Sequence, residues 1–211
     1  MKLSLKIIEN NKDIYKSILN ALLPEVVSYM NNAIDIIRYE LGNIIKQYIL
    51  NSPEYSSIVG GDLKYELGLI DGSSKIEGLI DFWTKNIQYE YNRPEIRNNM
   101  IRSSFSAKLI RSDFSDVLGS EYTYMTDNFR GYSLPWLEWL LLNGTAIIID
   151  DYQVTMGYNK HSRTGGAIMT TGGSWRVPSQ FAGTIGDNWI TRSIENASAD
   201  IESLLKKALK S

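Results

Sequence analysis

Across residues 13–50 the apolar side chains recur at steps of three and four: Tyr15, Ile18, Leu22, Val26, Met30, Ile34, Ile37, Leu41, Ile44 and Tyr48. This spacing predicts a long amphipathic helix with one apolar face, roughly 57 Å from end to end if unbroken. Leu19, Leu23, Val27, Ile36, Ile45 and Ile49 widen that face beyond a single stripe. A chain of this size can hardly cover so long a surface, so partner subunits are its expected cover. Pro24 should kink the helix or start a second one. Ahead of it, "MKLSLKII" alternates Leu3, Leu5 and Ile7 with Lys2, Ser4 and Lys6, the period of a strand.

The pattern breaks at "NSPEYSSIVGGDLKYELGLIDG", where Pro53 and four glycines predict two short helices, over 54–58 and 63–66, and then a turn. "KIEGLIDFW" predicts another helix. Residues 87–91 and the alternating Phe105, Ala107 and Leu109 predict strands, and "DFSDVL" predicts a helical turn closed by Gly119. "SLPWLEWLLLNG" predicts a short helix capped by Ser133, with Pro135 in its first turn and Gly144 just past its end. "TAIIIDDYQVTM" predicts a buried strand and "GAIMTT" its antiparallel partner, joined by the polar tip "GYNKHSRTG". Ile190, Ile194, Ala197, Ile201, Leu204 and Ala208 predict a C-terminal amphipathic helix, supported by Glu202 and Lys206 four apart. The expected fold is α+β: a long N-terminal helix, a small antiparallel sheet with an embedded short helix, and a C-terminal helix.

The 211 residues suit a single domain. Residues 1–50 would form the strand and protruding helix, 51–187 the α+β core, and 188–211 the C-terminal helix. A net charge of −2 excludes a nucleic-acid binder acting by bulk positive charge. The absence of cysteine removes disulfides, thiolate metal sites and cysteine nucleophiles together. The N-terminus lacks the apolar run of a signal peptide, and no stretch is long and apolar enough for a membrane span, so a cytoplasmic protein is expected.

Candidate chemistry is sparse. His161 is the only histidine and lies in a polar loop, where a solvated side chain is the plain expectation. Asp150 and Asp151 are adjacent on a strand, so they point to opposite faces and cannot readily share a substrate. "GGAIMTTGGSW" lacks the spacing of a nucleotide-binding loop, and its glycine pairs suit the two ends of a strand. No cofactor is expected.

The aromatic residues are more informative. Trp136 and Trp139, three apart, should pack in the core. Trp175 and Trp189 stand where loops begin and end, with Arg163, Arg176 and Arg192 nearby. Tryptophan and arginine at loop edges dominate protein–protein contacts. Ile37, Ile44, Arg163, Trp175, Arg176, Phe181 and Arg192 are therefore the candidate interface residues, the arginines being equally open to a plain solvated role.

"SPEYSSIVGGDLKYELGL", "DFSDVL", "LPWLEWLLLNGTAIIIDDYQV", "SRTGGAIM" and "WRVPSQFAGTIGDNWITRSI" occur in that order between residues 52 and 194. Together they resemble the neck and tail-completion proteins of long-tailed bacteriophages, small virion proteins at the head-to-tail joint. The long N-terminal helix matches in type only. The resemblance implies an α+β subunit without catalytic activity, made in the host cytoplasm and built into the virion. It implies a homo-oligomeric ring of about six or twelve copies. Its partners would be other neck, connector and tail proteins, with DNA passing through without sequence-specific binding and no membrane contact. Two rival classes are a phage-encoded hydrolase built on carboxylates and a monomeric protein-binding module.

Overall fold

Helix α1 (Asn11–Leu50) is the long helix that the periodicity predicts. Asn10 caps it, its Oδ1 accepting the Asp13 N–H at 3.0 Å. The helix continues through Pro24, so no second helix begins there. The computed structural model describes residues 10–126 and 133–210, and the strand expected over the first eight residues lies outside them.

Helices α2 (Pro53–Gly60) and α3 (Asp62–Glu66) follow, then α4 (Gly72–Lys85). Strand β1 (Gln88–Arg97) pairs antiparallel with β2 (Met100–Lys108). Asn98 and Asn99 both take positive φ at the turn, the conformation of a tight hairpin whose twist matches its strands. After α5 (Ser115–Leu118) and a 3₁₀ turn at Glu121–Thr123 come the short strands β3 (Met125–Thr126) and β4 (Ser133–Leu134). Helix α6 (Trp136–Leu142) precedes strands β5 (Ile149–Met156) and β6 (Ala167–Trp175), which form the expected hairpin, although β5 is largely exposed instead of buried. Helices α7 (Trp189–Asn196) and α8 (Ser198–Ala208) end the chain, dividing the expected C-terminal helix at Ala197.

The architecture is α+β, but among the described residues the strands form three separate two-stranded sheets instead of one. Ser133 belongs to β4, and Pro135 stands at the N-cap of α6 without a side-chain cap, so the expected Ser133 cap is not made. Among the described residues no helix is long and apolar enough to cross a membrane.

The chain divides into two compact units. The first comprises Met1–Leu41, Gln88–Lys108 and Glu202–Ser211, and the second Gly42–Ile87 and Leu109–Ile201. In the first unit, hairpin β1–β2 turns its aromatic face toward α1. Tyr89 and Phe105 stack at 6.0 Å, the Arg38 guanidinium lies 5.3 Å from the Tyr89 ring centre, and Tyr91 donates to Asn31. Ala33 and Ile37 of α1 pack with Ala208 of α8, flanked by Ile36 and Phe105. The Tyr29 hydroxyl also donates to the Leu209 carbonyl.

The second unit is built around tryptophans. Trp83, Trp136 and Trp189 are each wholly buried. Burial of so large an apolar ring stabilises only if its one N–H finds an acceptor. All three do: Trp83 donates to the Leu109 carbonyl at 2.6 Å, Trp136 to the Tyr122 carbonyl at 3.0 Å and Trp189 to Ser52 Oγ at 2.7 Å.

Candidate functional site

The segment from Gly172 to Ile194, richest in candidate interface residues, is organised around the start of α7. Asn188 caps that helix with Oδ1, which accepts the N–H groups of Ile190 and Thr191 at 3.0 and 3.1 Å. Thr191 Oγ1 returns the bond by accepting the Asn188 N–H at 2.8 Å, so two otherwise orphaned donors are satisfied reciprocally. Asn188 Nδ2 also donates to the Thr184 carbonyl at 2.8 Å, tying the preceding loop to the cap.

Arg192, one turn into α7, grips two carboxylates. Its NH2 donates to Glu54 Oε1 and its NH1 to Asp187 Oδ1, both at 2.7 Å. The Glu54 side chain is only 5% exposed, whereas Asp187 is open to solvent. Partial burial works against the Arg192 charge, but the hydrogen bonds from Glu54 and Asp187 outweigh it and raise its pKa above the ordinary arginine value.

Beside this pair, Ser52 Oγ is shared. It donates to the Ile49 carbonyl at 2.7 Å and accepts both the Tyr55 N–H that begins α2 and the Trp189 indole. Helices α2 and α7 are thereby locked together at their first turns by one neutral and one ionic contact.

Trp175, at the end of β6, is buried. It meets Trp139 of α6 edge to face at 5.7 Å and donates to Glu66 Oε2 at 3.4 Å. Burial pushes the Glu66 carboxyl above its ordinary pKa, opposed by that hydrogen bond and reinforced by Asp62.

Two glycines show how closely the backbone approaches. A Cβ on Gly183 would stand 2.5 Å from Asn188 Cβ and 2.6 Å from the Leu140 carbonyl oxygen. A Cβ on Gly166 would enter the Tyr65 ring at 2.3 Å. The Gly183 carbonyl in turn accepts the Gly144 N–H at 2.8 Å, which fixes the chain just past α6.

Trp175 and Arg192 both make these contacts inside their own unit. Ile37 is 4% exposed and packs against Ala33 and Ala208, and Ile44 is half-buried. Ala33, Ile34, Ile37, Leu41, Ile45 and Ile49 are buried by the chain itself.

Arg163, Arg176 and Phe181 differ in degree. Arg163 is exposed overall, yet its guanidinium lies over Gly68, where a Cβ would be 3.6 Å from its Cζ. Arg176 is exposed and donates to the Thr145 carbonyl at 3.3 Å. Phe181 is half-buried in a turn closed by its own N–H onto the Pro178 carbonyl.

Sequence reasoning passes over Ser52, Glu54, Glu66 and Gly183 as functional positions. "SPE" marks Ser52 as a helix cap and Glu54 as a first-turn acid, but nothing local names partners more than a hundred residues away. His161 sits exposed near the β5–β6 tip, its N–H donating to Asn159 Oδ1. Asp150 and Asp151 are both exposed beside a shift in the β5–β6 register.

No family model, no curated protein and no solved structure matches the chain.

Proposed function

We propose that this chain is a structural protein of the head-to-tail joint of a long-tailed bacteriophage. In this role it is a non-enzymatic subunit that assembles with copies of itself into a ring around the DNA path. The observation carrying the proposal is the resemblance of its five quoted strings, in order, to neck and tail-completion proteins. All five strings fall within the second unit. There they supply the contacts that hold that unit: Ser52 and Glu54 from the first string, Trp139 from the third, Gly166 from the fourth, and Trp175, Gly183, Trp189 and Arg192 from the fifth.

A joint must transmit load from tail to head without changing shape. Interlocked tryptophans and a doubly held arginine suit that demand, because close-packed interiors transmit strain instead of absorbing it. Such a subunit works from the virion neck between connector and tail proteins, and DNA crosses its ring without sequence-specific contacts. A net charge of −2 suits passage, since clustered Lys and Arg would retain phosphates.

Deleting the gene from its phage tests the proposal. The expected lysate holds packaged or leaking heads and separately built tails, with no infectious particles. Intact virions that fail only at lysis or penetration would favour the hydrolase class instead.

A further inference from the structure

Each unit presents an ordered apolar surface to solvent, and the two surfaces differ in kind. In the first unit it is the leading part of α1. Ile14, Ile18 and Leu22, spaced four apart, form one stripe with Tyr15 beside it, and Ile18 is 50% exposed. In the second unit it is one face of the β5–β6 hairpin. Tyr152, Val154 and Met156 alternate along β5, and Met169 stands opposite Val154 on the same face. Tyr152, Met156 and Met169 are each at least 40% exposed. The other face carries Gln153, Thr155 and Thr170 around a single isoleucine, Ile168, with Thr155 Oγ1 and Thr170 Oγ1 2.7 Å apart. A two-stranded sheet is at best marginal alone in water and gains stability when its apolar face is covered by a helix.

The two surfaces match in length and are opposite in charge. From Ile14 to Leu22 a helix advances about 12 Å, and from Tyr152 to Met156 a strand advances about 13 Å. The first unit carries twelve Lys and Arg against eight Asp and Glu, a net +4. The second carries ten against sixteen, a net −6, and the two add to the −2 of the whole chain. Close to the surfaces themselves, Lys12 and Lys16 outnumber Asp13 in the first turns of α1 around Ile14, whereas Asp150 and Asp151 adjoin Tyr152. Opposite net charges on two parts of one chain favour contact between unlike parts of two copies and disfavour contact between like parts.

We propose that the occupant of each surface is a second copy of this chain, joined head to tail. The α1 stripe of one copy lies on the β5–β6 apolar face of the next. Such an interface is heterologous: each copy uses one surface and presents the other, so addition continues until rotation closes a ring. The inference rests on the proposed ring-forming role and names the surfaces that would build it.

The chain has no cysteine, which makes site-directed cross-linking unambiguous. Ile18→Cys and Met169→Cys are made as separate proteins, checked for native helical signal, mixed and oxidised. A disulfide dimer containing one chain of each variant is expected in several-fold excess over either variant's own dimer, and less of it should form at high salt. Predominance of either homodimer overturns the head-to-tail arrangement. So does a lack of mixed dimer, or a chain that scatters light as a monomer at every concentration.

A second arm separates this inference from the functional proposal. Purified Leu22→Asp and Met169→Asp proteins are each added to a lysate of the deletion phage. If both still join heads to tails as well as the unaltered protein, the interface is wrong and the role stands. If the mixed disulfide forms but unaltered protein joins nothing, the interface stands and the role is wrong.

Discussion

The Trp189 indole N–H donates to Ser52 Oγ at 2.7 Å, joining positions 137 apart in sequence through the hydroxyl that also caps α2. The bond lies where both side chains are buried, so an unpaired indole there would carry the full cost of its lost water contacts. Ser52→Ala should cost about 1–2 kcal/mol through the lost cap and the orphaned indole together. Trp189→Phe removes the donor, so the double variant should be less destabilised than the sum of the two. Urea denaturation of the four proteins measures this coupling, and strict additivity would contradict a shared hydroxyl.

Arg192 and Arg176 should behave differently although the sequence presents both as loop-edge arginines. Arg192→Ala strands the Glu54 carboxylate at 5% exposure. Discounted for the one-third exposure of Arg192 itself, the expected loss is about 2–3 kcal/mol. Arg176→Ala removes one long hydrogen bond from an exposed side chain and should stay within about 0.5 kcal/mol. Equal effects on the denaturation midpoint would remove the distinction.

Gly183→Ala tests the tightest backbone approach in the second unit. The added methyl meets two carbonyl oxygens of α6 and the Asn188 Cβ, none of which is the free end of a flexible side chain. A loss of about 1–3 kcal/mol is expected, as for other overpacked sites. By contrast, a Cβ at Gly186 meets nothing within 4 Å, so Gly186→Ala serves as the mild control.

Much of this fold is legible in local pattern. The three- and four-residue steps give α1, and the Pro and Gly punctuation around "WLEWLLL" gives α6. The polar, glycine-bounded "GYNKHSRTG" tip between two apolar segments gives the β5–β6 hairpin. The contacts of the candidate site are not legible, because they join α2 and α3 to segments 109 to 138 residues away. A tryptophan beside an arginine at a loop edge has the same local signature whether it anchors a partner or closes its own unit. The residue that decides is the distant one, Glu54 for Arg192 and Glu66 for Trp175. The division into two units is hidden for the same reason: β1 and β2 read as strands, but their membership with α1 depends on Tyr89, Tyr91 and Phe105 meeting residues 31–38.

Acid should stabilise the second unit through two carboxyls. Burial raises the pKa of Asp116, opposed by the Arg111 N–H, and that of Glu66, opposed by the Trp175 indole. A raised folded pKa means the folded state holds the proton more tightly than the unfolded one. Their contribution is therefore complete below the ordinary carboxylate pKa and is lost as pH rises through the raised values. The double variant Asp116→Asn with Glu66→Gln should flatten the change in denaturation midpoint over that window. An unchanged slope would place the titration on other groups.

The central claim is that this chain joins phage heads to tails, and joining can be measured in a tube. Heads and tails from a lysate of the deletion phage are mixed with purified protein, and joined particles are counted by electron microscopy alongside plaque titre. The account predicts that joined, infectious particles rise from background with added protein and that a ring is visible at the junction. Heads and tails that remain separate at every protein concentration, or that join equally well without it, would contradict the account.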